Sequence, residues 1–332
     1  EQVTRQPEGV QSHNFDLGNF REQASQRLGQ NWLALDYYLA DEQLFVVFLG
    51  PDECQAWSLP ISGQARLALQ LITRLKGVGE VALERPLKQL GAWLFPESVQ
   101  AKLTPETYLI LSPHSQLHHI PWPALYLNET PMVSCCIPVI VPSLNNLALL
   151  WSRSSELDPT KNSGLLLATS DFRDRYPSLP AVARETAFMT QIVGKAGVKL
   201  VESAATWSNL AALAKGKGGL TRFPFWHIAT HAFHDGLSGR LSGIALYDRD
   251  IWLDELWQLA PLPSLTILSA CSGGSSLVFT GDEHVSLPMT CLMAGSQRVV
   301  GTIWPLQDEQ APDPIRRFYQ HWQSGLSVSQ SL

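Results

Sequence analysis

The sequence predicts an α/β protein built on a mostly parallel sheet with helices on both faces, preceded by a smaller α/β half. Three observations carry this. From Gly164 onward, short apolar runs alternate with stretches of helical spacing, as strands joined by crossover helices do. Before that point the chain carries its own hairpin, helices and strands, and the polar stretch 152–163 separates the two regions. Hydrophobic residues make up 45% and charged residues only 16%, against about 25% charged in ordinary domains, so the chain has material for a generous core.

The elements follow in order. Residues 1–28 are polar and read as a lead-in or linker. Leu33–Tyr38 and Leu44–Leu49 are apolar runs split by Ala40-Asp41-Glu42, a hairpin, and Cys54–Leu59 adds a third strand. Residues 63–76 have helical spacing, with Leu67, Leu71 and Leu75 among the apolar positions, and a second helix covers Leu83–Phe95. Tyr108–Leu111 is a buried strand ended by Ser112-Pro113. Leu117–Leu125 is a proline-stiffened turn, and Val139–Val141 a strand before a helix that reaches Leu150. This defines a first half over residues 29–150 and a second over 151–332. In the second half, strands are predicted at Gly164–Thr169, Lys199–Glu202, Phe223–Thr230, Leu265–Ala270 and Arg298–Trp304. Helices are predicted at Val182–Val193, Ser208–Ala214, Leu287–Ala294 and Pro312–Trp322. A hairpin turns at Asp248-Arg249-Asp250.

Composition excludes several classes. The formal charge is −6 and Lys/Arg runs stop at pairs such as Arg316-Arg317, so no phosphate-neutralising surface and no direct nucleic-acid ligand are expected. No apolar stretch of about 18 residues suggests a membrane span. The cysteines are Cys54, Cys135, Cys136, Cys271 and Cys291. An odd count without CxxC argues against a disulfide framework or a structural zinc site and fits a cytoplasmic protein. No metal and no cofactor is expected. The chain begins at Glu1 without a basic-then-apolar leader, as a piece of a longer protein would.

Two strands end in reactive side chains. Phe225-Trp226-His227-Ile228-Ala229-Thr230 runs into His231, and Leu265-Thr266-Ile267-Leu268-Ser269-Ala270 runs into Cys271. Ligands and catalytic groups gather at the carboxyl ends of parallel strands. Neighbouring strands would put His231 and Cys271 on one rim, where an imidazole can take a thiol proton and the thiolate attack a carbonyl. The small residues Gly273 and Gly274 allow a substrate backbone close approach, and the amides of Ala232 and Cys271 are candidate oxyanion donors. His227, His231 and His234 lack a completing carboxylate or thiol at metal-binding spacing. His227 instead reads as a buried, hydrogen-bonded residue. Cys54, Cys135, Cys136 and Cys291 read as packing or strand-edge residues, and Ser272, Ser275 and Ser276 lie in no G-x-S-x-G elbow.

These residues carry a family resemblance. His227-Ile228-Ala229-Thr230-His231, Leu268-Ser269-Ala270-Cys271 and Gly281-Asp282-Glu283 form its core, continued by Met293-Ala294-Gly295-Ser296 and Val299–Pro305. Leu117–Leu125, Pro142-Ser143-Leu144, Leu179-Pro180 and Glu185 extend it toward the N-terminus. The chain resembles the CHAT family, caspase-like domains often found beside tetratricopeptide repeats, within the caspase, separase and gingipain group. The resemblance covers about residues 30–332. It implies a caspase-like catalytic half preceded by an inactive pseudo-caspase half. It also implies a cysteine endopeptidase with a His231–Cys271 dyad, acting on few protein substrates and coupled to a regulatory protein or tetratricopeptide sensor, often in antiviral defence or cell death. Asp171 lies where relatives line the specificity pocket, and Asp282 and Glu283 follow the cysteine's loop. Together they suggest a preference for Lys or Arg, with an apolar preference as the alternative, and Asp282 and Glu283 also suit a helix cap. Two departures stand out. Ala232 occupies the place of a usual glycine, and the family's last helix would continue past Leu332, as in a C-terminally truncated chain. The competing reading is a caspase-like scaffold for partner assembly without proteolysis.

Overall fold

The computed structural model describes residues 15–74, 83–153, 163–233, 242–270, 276–278, 284–302 and 308–332. The lead-in is more structured than its composition suggests. Leu17–Leu28 form helix α1, capped by the Asp16 carboxylate accepting from Asn19 N at 3.0 Å and closed by Gly29 at φ +72°. Phe20 and Ala24, one turn apart, are buried in a shared cluster with Trp32 and Ile110. Residues 17–28 therefore pack on the sheet of the first half.

Strands β1 (Trp32–Leu39), β2 (Gln43–Leu49) and β3 (Cys54–Pro60) form the predicted antiparallel meander, and α2 (Gly63–Arg74), α3 (Glu84–Leu94) and α4 (Glu97–Gln100) follow. Next come β4 (Tyr108–Ser112), the small ribbon β5 (Tyr126–Leu127) and β6 (Thr130–Pro131), β7 (Ile137–Ile140) and α5 (Leu144–Ser152). The sheet order is β3-β2-β1-β4-β7, with β1, β4 and β7 parallel. Alternation along β1 decides the layers. Leu33, Leu35 and Tyr37 pack with α2 and α3 residues such as Ile72 and Leu90, while Trp32 and Ala34 face α1 and α5.

The second half contains β8 (Leu165–Ala168), α6 (Pro180–Val193), β9 (Val198–Val201), α7 (Trp207–Lys215) and β10 (Phe225–Ala229). Then come β11 (Ala232–Phe233), β12 (Gly243–Ala245), β13 (Asp250–Trp252), α8 (Leu253–Trp257) and β14 (Leu265–Ser269). The ribbon β15 (Ser276–Val278) and β16 (His284–Ser286), α9 (Leu287–Met293), β17 (Arg298–Gly301) and α10 (Pro312–Gln323) complete it. Its main sheet, β17-β14-β10-β8-β9, is parallel throughout. Trp226 and Ile228 pack with residues of α7, α8 and α9, and Phe225 and Ala229 with residues of α6 and α10. Both halves therefore bury a sheet between helical layers, as the alternating sequence predicts. They touch through Tyr108 Oη and Ser327 Oγ at 3.1 Å and through Gln297 Nε2 donating to Arg153 O at 3.0 Å.

His227 points from β10 into the apolar layer under α6 and α10. It is fully buried, with Nε2 2.7 Å from Glu185 Oε1 and Nδ1 3.1 Å from Tyr319 Oη. Burial pushes the Tyr319 phenol well above its ordinary 10.0, with Glu185 adding to the shift, and burial does the same to Tyr37. An acid raised in the folded state contributes its stability below the unfolded pKa. Above that value the unfolded chain ionises first and the contribution is lost. Thermal stability is therefore expected to fall as pH rises through and beyond about 10, and Tyr319→Phe to flatten that decline. Melting curves across the alkaline range check this. An unchanged slope in the variant contradicts the assignment to Tyr319.

Candidate active site

The backbone on both sides of His231 is pinned by a hairpin. Thr230 Oγ1 donates to Ala245 O at 2.6 Å, Ala245 N donates to His231 O at 2.9 Å, and Ala232 then pairs with Ile244 in β11–β12. Gly243 is required for that hairpin, because a Cβ there would stand 2.1 Å from Ile251 O. The imidazole itself is partly exposed. Its Nε2 lies 2.8 Å from Pro177 O. A carbonyl only accepts, so Nε2 carries the proton and, in the neutral ring, Nδ1 keeps the lone pair of a base. Phe172 and Tyr176 stand 4.8 and 5.5 Å from the ring by centroid, and Tyr176 stacks on Phe233 at 6.2 Å.

Phe172, Tyr176 and Pro177 belong to the loop that follows β8. Arg175 of this loop pairs with Asp250 and donates to Leu246 O, and Tyr176 Oη donates to Asp250 Oδ2 at 2.8 Å. Burial, and then the bond to Asp250, raise the Tyr176 phenol above 10.0. The loop is thus tied to the same hairpin that pins His231. The 171–178 loop is thereby held in place, while most of 232–242 and 272–286 lies outside the described residues.

Asp171 is exposed, and its Oδ1 accepts from Arg173 N at 2.9 Å, which bends its own loop. It lines a cleft of about 560 Å³ with Ser170, Asp174, Tyr176 and Pro177. Cys271, Asp282 and Glu283 lie outside the described residues, as do His234 and Ser272. The strand leading to Cys271 is described: Ala229 of β10 is level with Ser269 of β14, and Ala270 O accepts from Thr302 Oγ1 at 2.7 Å. Ala232 sits in a paired strand and is not among the residues with positive φ, so alanine carries no left-handed strain at that place.

The other cysteines have different environments. Burial pushes the Cys291 and Cys136 thiols up to about 12, so both stay protonated and unreactive at neutral pH. Cys54, read as packing from sequence, is exposed on the edge strand β3. Among the described residues no group of three or more His, Cys, Asp or Glu is arranged to hold a metal ion, and no helix is long and apolar enough to cross a membrane. Sequence reasoning missed Pro177, Asp250 and Glu202. The last anchors the start of the 170–178 loop by accepting from Ser170 Oγ at 2.7 Å. None of them falls in an apolar period or a motif.

A CHAT domain model matches residues 84–332, reaching back across the polar boundary to the start of α3. No curated protein matches the sequence. Among solved structures, a chain of the Saccharomyces cerevisiae separase–securin complex at 3.0 Å resolution is similar, with a TM-score of 0.64 and 13% identity over 95% of this chain and 29% of that chain. A second structure of that complex, at 2.6 Å, gives a TM-score of 0.61 with the same identity and coverage. The chain spans less than a third of the length of the chains it resembles. The parallel sheet between helical layers has the caspase-like fold shared with the separase chains, and the chain belongs to the CHAT domain family.

Proposed function

We propose that the protein is a cysteine endopeptidase with a His231–Cys271 dyad. One observation carries the reading. Ala229 and Ser269 are level in adjacent parallel strands, which lie about 4.8 Å apart, and in the sequence His231 and Cys271 each follow two residues after that level. The bond from His231 Nε2 to Pro177 O leaves Nδ1 free to take the thiol proton. The thiolate then attacks the scissile carbonyl carbon, and the amides of Ala232 and Cys271 hold the oxyanion. The imidazolium returns its proton to the leaving amine, and water, activated by the same imidazole, hydrolyses the thioester.

The proposal extends to substrates and control. Asp171, Asp282 and Glu283 favour Lys or Arg before the scissile bond. Cleavage is limited to few protein targets and governed by a regulatory protein or tetratricopeptide sensor in a cytoplasmic defence or cell-death pathway. Separase is seen in complex with securin in the yeast structures, which supports a protein partner for this chain.

A peptide mixture incubated with the protein and with Cys271→Ala, read by mass spectrometry, tests the proposal. Cleavage after Lys or Arg in the wild type alone is the expected result. Cleavage after another residue type keeps the dyad and removes the acidic pocket. Equal biological effect in the variant favours the partner-assembly scaffold.

A further inference from the structure

Strand β9 ends at Val201, and Glu202 turns the chain with φ +50°. Residues with a side chain rarely adopt that backbone state, and glycine is the usual occupant. The carboxylate of Glu202 is heavily used. It accepts from Ser170 Oγ at 2.7 Å, Ser170 N at 3.1 Å, Asp171 N at 3.3 Å and Thr169 Oγ1 at 3.3 Å. These donors sit where the chain leaves β8 and starts toward Pro177.

The loop they begin has bonds of its own, from Arg173 N to Asp171 Oδ1, Arg175 N to Phe172 O and Leu179 N to Ser170 O, but it also holds strained backbone. Arg173 and Asp174 are consecutive left-handed residues, at φ 53° and 64°. Such a conformation persists when surrounding groups over-determine it. Asp250 secures the far end of the loop through Arg175 and Tyr176. Glu202 secures the near end. Between these anchors lies Pro177, whose carbonyl accepts from His231 Nε2.

We infer that Glu202 is a positioning residue for the dyad: it holds the 170–178 loop so that Pro177 O keeps His231 in the Nε2–H tautomer with Nδ1 as the base. The kinetic consequence rests on the proposed protease reading, whereas the tautomer does not.

Glu202→Gly tests it, because glycine adopts the same φ without strain and lacks the carboxylate, and Glu202→Gln, which keeps the side chain, controls for the backbone freedom that glycine adds. Long-range proton–nitrogen NMR of labelled histidines, with His231 assigned through His231→Asn, reads the tautomer directly. The wild type is expected to show a single Nε2–H pattern at His231. Glu202→Gly is expected to show a tautomer mixture, with amide exchange at Ser170 and Asp171 faster by about 10-fold or more. On a cleavable peptide the same variant should lose about 100-fold in kcat with KM nearly unchanged, and Glu202→Gln, which keeps one acceptor oxygen, should fall between. A Glu202→Gly protein with the wild-type tautomer and wild-type amide protection overturns the inference. A wild type that cleaves no peptide counts against the protease reading alone, and the NMR result still decides the role of Glu202.

Discussion

Cys271→Ala is expected to lower kcat/KM for peptide cleavage by about 10⁴-fold or more, and His231→Asn to do nearly the same. In the proposed mechanism the Cys271 thiolate is the attacking atom, and the described cysteines offer no ready substitute. Cys291 and Cys136 are buried with thiols held at about 12, and Cys54 lies on the edge strand of the other sheet. Asparagine at 231 can still donate to Pro177 O but has no lone pair able to take a proton, so it separates the base from the structural bond. Residues that act as one unit are not additive. The double variant is therefore expected to be no slower than the worse single one. Steady-state kinetics on one peptide suffice. Retention of more than about 1% of wild-type kcat/KM by Cys271→Ala removes the dyad from the mechanism.

Glu185→Ala is expected to destabilise the protein by about 3 kcal/mol, because it strands a buried imidazole nitrogen. His227 is 0% exposed and Glu185 3% exposed, so water cannot replace the lost partner. The bond joins α6 to β10, and Tyr319 on the other ring nitrogen joins α10 to the same strand. For a chain of 332 residues the loss corresponds to a Tm lower by about 4 °C. Glu185→Gln keeps an acceptor for Nε2–H and should lose about 1 kcal/mol. Calorimetry on both variants checks the ranking, and an alanine variant as stable as wild type contradicts it. The network does not touch His231, so folded Glu185→Ala protein at low temperature should keep its kcat.

Most of the fold was legible in the sequence for a simple reason. Strands covered on both faces are apolar runs, as Leu165–Ala168 and Leu265–Ser269 show, and the helices between them keep an apolar stripe. Most strand boundaries agree to within a residue or two, the strand expected to reach Trp304 is described to Gly301, and the hairpin of β1 and β2 pairs as its polar turn implied. Helix α1 was less visible. It buries only Phe20 and Ala24 and is otherwise polar, so its place depends on the sheet beneath it. His227 shows the complementary case: a histidine in an apolar strand signals a buried polar group, but its partners lie 42 and 92 residues away.

The candidate site divides along the same line. The sequence by itself determined which strands end in His231 and Cys271, because a strand's end is marked locally by the change from apolar to small and polar residues. The tertiary structure decided that these strands are neighbours in register. It also decided that Pro177 O sets the imidazole's proton, and that Glu202 and Asp250 anchor the loop bringing it there. These are loop residues joined across 54 positions for Pro177 and His231, and 32 for Ser170 and Glu202. A hydrogen bond between distant loops leaves no period in the sequence. It forms only after burial of the apolar sheet has brought the strand ends together.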